Sequence, residues 1–301
     1  MPPIILHQYD SSPFSEKVRI CLGIKNAEWF AVDQPVIMPK PDLVPLTGGY
    51  RRIPVMQIGA DIYCDSVLIV EEIERRLPGP SLFPGGVTGL ATALQYWSDR
   101  EFFQAAVAVI FGGLGDKVDP AFIKDREALS GRPFDTGAMQ AAIPYMREQL
   151  QAHAGLIDRQ LEDGRLFLGG GEPGAADAAA YYNLWFVKAH YPPAASAFAA
   201  YQRLEAWMDR VASLGHGTRR EMSREEALVI ARDKQPDQAV GGEHPLIGRT
   251  VAVSAADYGR DPVVGQLIGM EANRVSLLRS NPSLGPTAVH FPRIGYAVTP
   301  A

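Results

Sequence analysis

Three short segments near the start of the chain put reactive or polar side chains at the boundaries of predicted elements. In Ser12-Pro13-Phe14-Ser15 a serine stands where an apolar run, residues 4–9, gives way to the helical spacing of Val18, Ile20, Cys21 and Leu22. Serine at an N-cap followed by proline at the first helical position is good helix-starting chemistry, worth about 1 kcal/mol with no function attached. The same geometry gathers free N–H groups and the positive end of the helix dipole around Ser12, which suits an anion such as a bound thiolate. In Arg52-Ile53-Pro54-Val55 a proline precedes a predicted strand. A cis peptide there would leave the flanking backbone free to pair with a ligand; a proline simply tolerated at a strand start explains it equally. Asp65 and Ser66 open a third predicted element, a helix, and fit plain capping. An acid beside a hydroxyl at a helix N-terminus also offers a partner for an α-ammonium and donors for an α-carboxylate. Lys40 and Arg52 suit either a ligand carboxylate or a solvated surface.

The elements that position these residues read as β-α-β, an irregular proline-containing stretch, then β-β-α. The strands are residues 4–9, 28–33, 53–58 and 61–64, the helices begin near Ser12 and at Ser66, and Gly59-Ala60 has the length of a tight hairpin loop. A βαβ opening implies a right-handed crossover between parallel strands. Residues 79–88, rich in Pro and Gly, read as a linker, so the first domain spans residues 1–78. Ala-rich helical patterns at 90–111, 138–162, 175–189, 197–213 and 223–233 predict an all-helical domain over 89–235. After Gly241-Gly242 the texture changes to β-rich runs at 250–254, 263–268, 274–278, 287–291 and 295–299. That spacing predicts a small antiparallel, barrel-like module over 243–301. Its role stays open between covering a pocket, joining subunits and binding something else, and residues 257–262 fit a ligand loop or an ordinary turn.

With 301 residues, 47% of them apolar, the chain can bury more than one core. A net charge of −5 gives no general reason to bind nucleic acid, which needs a clustered basic excess. The opening MPPIILHQYD has no basic region and too short an apolar run for a secretory signal or a membrane span, so a cytoplasmic protein is expected. Cys21 and Cys64 form no disulfide framework and, with six scattered histidines, no metal-ligand spacing, so no metal is expected.

SSPFSEKVRICL resembles the first-helix motif of serine-type glutathione transferases, of the theta, zeta, phi and tau kind, in which a Ser precedes the helix and a Val-Arg pair follows. The resemblance continues through Arg52 to Val55, through Asp65-Ser66, and through residues 167–177 and 201–210, covering residues 4–233. It implies a thioredoxin-like first domain and a helical second domain. It also implies glutathione as co-substrate, with Ser12 donating a hydrogen bond to its sulfur. Ile53 and Pro54 would hold the cysteinyl backbone, Asp65 and Ser66 the γ-glutamyl end, and Arg52 or Lys40 the glycyl carboxylate. A cytoplasmic homodimer engaged in detoxification is implied as well. Cysteine-type relatives carry Cys where Ser12 stands, so disulfide exchange is disfavoured. Gly174 replaces the family's capping Ser or Thr three positions before Asp177, leaving that capping pair incomplete. An acceptor pocket would lie between the first helix and the long helix of the second domain, with Phe14, Tyr96, Trp97, Arg100 and Phe103 as lining; aromatics at this spacing equally suit a core. The expected reaction is conjugation of glutathione thiolate to an apolar electrophile. A glutathione-dependent isomerase, dehalogenase or ether-cleaving enzyme, and a non-catalytic glutathione-binding protein, are the alternatives.

Overall fold

The structure, a computed structural model, describes residues 2–237 and 241–301. It begins with β1 (Ile5–Gln8), α1 (Pro13–Ile24), β2 (Glu28–Asp33), a short α2 (Val44–Thr47), β3 (Val55–Ile58), β4 (Asp61–Cys64) and α3 (Ser66–Arg76). β1 runs parallel to β2 and antiparallel to β3, which turns through Gly59-Ala60 into antiparallel β4. Alternation along the strands divides their side chains between two cores. Leu6 and Met56 join Val18, Leu22 and Ile69 on the side of α1 and α3, whereas Ile5 and Val55 face the other way.

The helical region comprises α4 (Thr88–Trp97), α5 (Phe103–Leu114), α6 (Pro120–Ser130), α7 (Thr136–Gln160), α8 (Ala175–His190) and α9 (Gln202–Ser213). A π turn, Ser98–Phe102, joins α4 to α5 without a break, so the apolar pattern read as one helix is one continuous rod. Its core is continuous with the first face of the sheet: Phe102, Ile110, Leu184 and Trp207 share a cluster with Leu6 and Met56. Asp177 is fully buried at the start of α8, where it accepts hydrogen bonds from Gly174 N (3.0 Å), Leu168 N (2.8 Å) and Trp207 Nε1 (2.8 Å). The carboxylate half of the capping pair is therefore made, and in place of the missing cap hydroxyl the Asp177 N–H donates to Gly174 O at 3.0 Å.

After α9 the chain returns to the sheet, although its sequence pattern placed residues up to 235 in the helical domain. β5 (Thr218–Glu221) pairs parallel with β2, and α10 (Arg224–Arg232) crosses the second face with Ala227 against Ile5 and Val32. Gly217, at φ +68°, makes the join possible, since a Cβ there would lie 2.4 Å from Ala27 O.

The tail strands are β6 (Thr250–Ala255), β7 (Val263–Met270), β8 (Arg274–Asn281), β9 (Gly285–Pro292) and β10 (Tyr296–Pro300). All five expected runs are strands, and they extend the first domain's sheet. β9 pairs parallel with β4, giving one ten-stranded sheet in the order β10-β6-β7-β8-β9-β4-β3-β1-β2-β5. Val253, Leu267, Leu277 and Phe291 share a core with Leu43, Leu46, Val55, Ile62 and Cys64. The physical reason is the edge of β4: without β9 it would expose unpaired backbone and an apolar face. At the seam His290 stacks on Tyr63 (centroids 4.5 Å apart) and bonds Asp61 (3.0 Å) and Ser276 (2.8 Å). No described helix is long and apolar enough to cross a membrane, and no group of three or more metal-ligating side chains occurs among the described residues.

Candidate functional site

A cleft opens where the sheet, the α4–α5 rod and the tail meet. Phe14 on the first turn of α1, the segment Arg52 to Pro54, and Asp65, Ser66 and Val67 at the start of α3 form one side. Tyr96, Asp99 and Arg100 come from the α4–α5 rod, and Tyr50 from the turn before β3. Asp257 and Tyr258, from the β6–β7 loop, and Ile294, Gly295 and Tyr296, from the β9–β10 turn and the start of β10, close it.

Local chemistry explains each placement. Ser12 caps α1, its Oγ accepting from Ser15 N at 3.2 Å. Buried Arg19 ties down the preceding turn by donating to Asp10 O (2.9 Å), to Gln8 Oε1 and to Glu16 Oε2 (2.9 Å). The Ile53–Pro54 peptide is cis. Asp65 caps α3 with Oδ1 accepting from Val67 N at 3.0 Å, and holds a φ of +79° that a residue with a Cβ rarely adopts. Strain of that kind costs of order 1–3 kcal/mol and gathers at ligand clamps. The π turn carries Asp99 and Arg100 to the cleft, and Lys17 Nζ (2.6 Å) and Tyr182 Oη (3.0 Å) both bond Asp99. Burial raises the Asp99 carboxyl above its ordinary range, with Lys17 opposing.

Of the residues singled out in the sequence, Phe14, Arg52, Ile53, Pro54, Asp65, Ser66, Tyr96 and Arg100 meet in this cleft. Four do not line it. Ser12 is buried, its hydroxyl accepting from Ser15 N and standing beside the Tyr9 phenol. Lys40 is also buried, its ammonium donating to Pro35 O, and burial draws its pKa down to about 8. Trp97 packs on Phe102 and His153, and Phe103 stands behind Phe14 with ring centroids 4.7 Å apart. The resemblance motifs gave no access to Tyr50, Asp99, Tyr258, Ile294 or Tyr296; the one local hint was residues 257–262, read as a ligand loop or a turn.

The tail does more than enclose space. Asp257 Oδ1 lies 2.5 Å from Arg52 Nη2, the Tyr258 ring centroid is 3.8 Å from the Arg52 guanidinium, and Tyr296 Oη donates to Asp65 Oδ2 at 3.0 Å. Burial pushes the phenols of Tyr50, Tyr96 and Tyr296 upward and that of Tyr258 to about 12, so the four hydroxyls stay protonated and able to donate. Neither thiol is suited to disulfide exchange: burial pushes Cys21 to about 12 and Cys64 well above its ordinary value.

Residues 6–81 match the glutathione S-transferase N-terminal domain, and residues 95–210 match the glutathione S-transferase C-terminal domain. A GST-like protein from Pseudomonas syringae, known from a crystal structure, is 33% identical, with 100% of both chains covered and a TM-score of 0.81. The chain belongs to the glutathione S-transferase superfamily. A tau class glutathione S-transferase from mango, Mangifera indica, shares the fold at 20% identity and a TM-score of 0.54, over 70% of this chain and 89% of that one. A probable glutathione S-transferase from Solanum tuberosum is 29% identical over 111 residues, 36% of this chain. The chain spans about half the length of that curated relative, 51%. Both family matches end before β6, so Asp257, Tyr258 and Tyr296 lie outside the matched residues.

Proposed function

We propose that this chain binds glutathione in the three-walled cleft and activates it as a thiolate that attacks an apolar electrophile. The observation carrying this reading is the convergence of Phe14, Arg52, Ile53-Pro54 and Asp65-Ser66 on one cleft at the first turn of α1. Asp65, with Ser66 and the start of α3, suits the ammonium and carboxylate of a γ-glutamyl end. The backbone at Ile53 suits the cysteinyl unit, which brings the sulfur toward the N-terminal end of α1. Ser12 Oγ accepts from Ser15 N and stands beside the Tyr9 phenol, so this reading requires its one proton to turn from Tyr9 to the sulfur. Lowering a thiol pKa by two units takes about 2.7 kcal/mol and turns a minor thiolate into the main species at neutral pH. The less basic thiolate loses about eightfold in nucleophilicity, leaving a few-fold net gain. Holding the electrophile against the sulfur, between Phe14, Tyr96, Tyr258 and Ile294, must then supply most of the rate. Family membership extends the reading to a cytoplasmic homodimer that detoxifies electrophiles.

Calorimetric titration with glutathione, paired with turnover of an aryl halide, tests this. Asp65→Asn should weaken glutathione binding about tenfold, the worth of one charge-assisted contact. Ser12→Ala should lower kcat/KM at least about tenfold while glutathione affinity changes little. Turnover indifferent to Ser12→Ala removes the serine from the chemistry. One observation favours a second reading, a glutathione-binding protein without turnover: Ser12 is buried, does not line the cleft, and its hydroxyl already caps α1. Glutathione binding with no turnover of electrophiles is its signature.

A further inference from the structure

We infer that Asp257 sets which end of the thiol ligand the cleft reads, so that the site binds γ-glutamyl-cysteinyl thiols whether or not their glycyl carboxylate is free. The inference rests on the glutathione reading and concerns a residue outside both family domains.

The cations on the glycyl side of the cleft are already engaged. Lys40 turns its ammonium to Pro35 O and is absent from the cleft wall. Arg51 faces Asp125 (3.4 Å) and Asp261 (3.8 Å). Arg52 reaches the cleft, but Asp257 Oδ1 and Oδ2 stand 2.5 and 3.5 Å from its Nη2 and Nη1, and Tyr258 covers its face. Arg100 has no anionic partner among the described residues; it lies on the opposite side, over Tyr96 and beside Gly295, where the acceptor would sit.

The Asp257 loop is built rather than incidental. Gly259 N donates to Leu129 O of α6 at 2.7 Å, and Arg260 Nε donates to Asp257 O at 3.0 Å. Gly259, at φ +56°, comes so close to Arg52 that a Cβ would lie 3.0 Å from its Nε. A free glycyl carboxylate arriving at Arg52 therefore meets a guanidinium already neutralised and a second carboxylate beside it. An ester or amide at that end avoids the like-charge contact and forgoes little attraction.

The test is calorimetric titration of the full chain with glutathione and with its glycyl monoethyl ester, in parent, Asp257→Asn and Asp257→Ser. For the parent the two dissociation constants should agree within about threefold, because the half-exposed ion pair leaves little net charge to discriminate. In both variants the free acid should gain about tenfold over the ester, one charge pair restored at Arg52. Parent binding that prefers the free acid tenfold or more, or a ratio unmoved in both variants, overturns the inference. Absence of heat with both compounds overturns the glutathione reading and this inference together, and is distinct from a ratio that fails to move.

Discussion

His7 on β1 lies away from the cleft, enclosed by the sheet and α10. Its ring accepts from Gln34 Nε2 at Nδ1 (3.1 Å) and meets Gln57 Oε1 at Nε2 (2.9 Å), an arrangement that fits a neutral imidazole carrying its proton on Nε2. Gln57 in turn donates to Ala227 O at 2.8 Å, so the pair fastens α10 to the sheet. Burial lowers the His7 pKa to about 4, with the Gln57 bond opposing only in part. Between the unfolded value of 6.5 and 4, the unfolded chain binds a proton that the folded chain refuses. The stabilisation is complete above pH 6.5 and is lost as pH falls toward 4, up to about 3 kcal/mol. Urea denaturation at pH 7 and pH 5 should show the parent losing about 1–2 kcal/mol more than His7→Gln; equal losses would remove His7 as the cause. Local residue chemistry of this kind was partly legible in the sequence. Ser12, Pro54 and Asp65 sit at element boundaries, where type and spacing report geometry directly. Tyr50, Tyr258 and Tyr296 carry no such signal, because their meeting depends on how separate strands stack.

Elements were readable where one face is apolar and unreadable where pairing alone makes them. α7, α8 and the tail strands follow their periodicity closely, whereas β5, Thr-Arg-Arg-Glu, has no alternation at all and exists because β2 offers it an edge. The π turn was equally hidden, since inserting one residue into a helix leaves its apolar content unchanged, yet it delivers Asp99 and Arg100 to the cleft. At the start of α8 the sequence pointed to a structural Asp177 with a missing cap partner, and the structure supplies three N–H donors to that carboxylate. Asp177→Asn keeps the shape but turns an amide N–H₂ toward at least one of those donors. The expected cost is about 2–4 kcal/mol, read from urea midpoints, because a buried donor loses its acceptor. Glutathione affinity per folded molecule should hold, since Asp177 does not line the cleft. A loss below about 0.5 kcal/mol would mean that other acceptors take over.

At the scale of the molecule, the tail was legible as β-rich and its attachment was not. Edge pairing between β4 and β9 joins residues more than two hundred positions apart, and no local pattern encodes that partner. The consequence is a shared core: Leu43, Leu46, Val55, Ile62 and Cys64 of the first domain are fully buried in a cluster completed by tail residues. Cutting the chain after Gly242 would uncover that face and leave β4 as an open edge. Burial of each Leu, Val or Ile side chain is worth about 1.5–3 kcal/mol, so losing four approaches the whole stability of a typical domain, about 5–15 kcal/mol. The full chain should therefore melt in one cooperative transition, while the shortened chain should aggregate or show no transition by calorimetry. A shortened chain that stays soluble, melts cooperatively and binds glutathione as tightly as the parent would show the opposite, that β9 merely rests on a sheet complete without it. The seam itself offers a milder version of the same test. His290→Ala removes the bonds to Asp61 and Ser276 and the stack on Tyr63 while leaving the strand pairing in place. If the tail and the first domain fold as one unit, that change lowers the single transition of the whole chain; if they fold separately, it splits the melt in two.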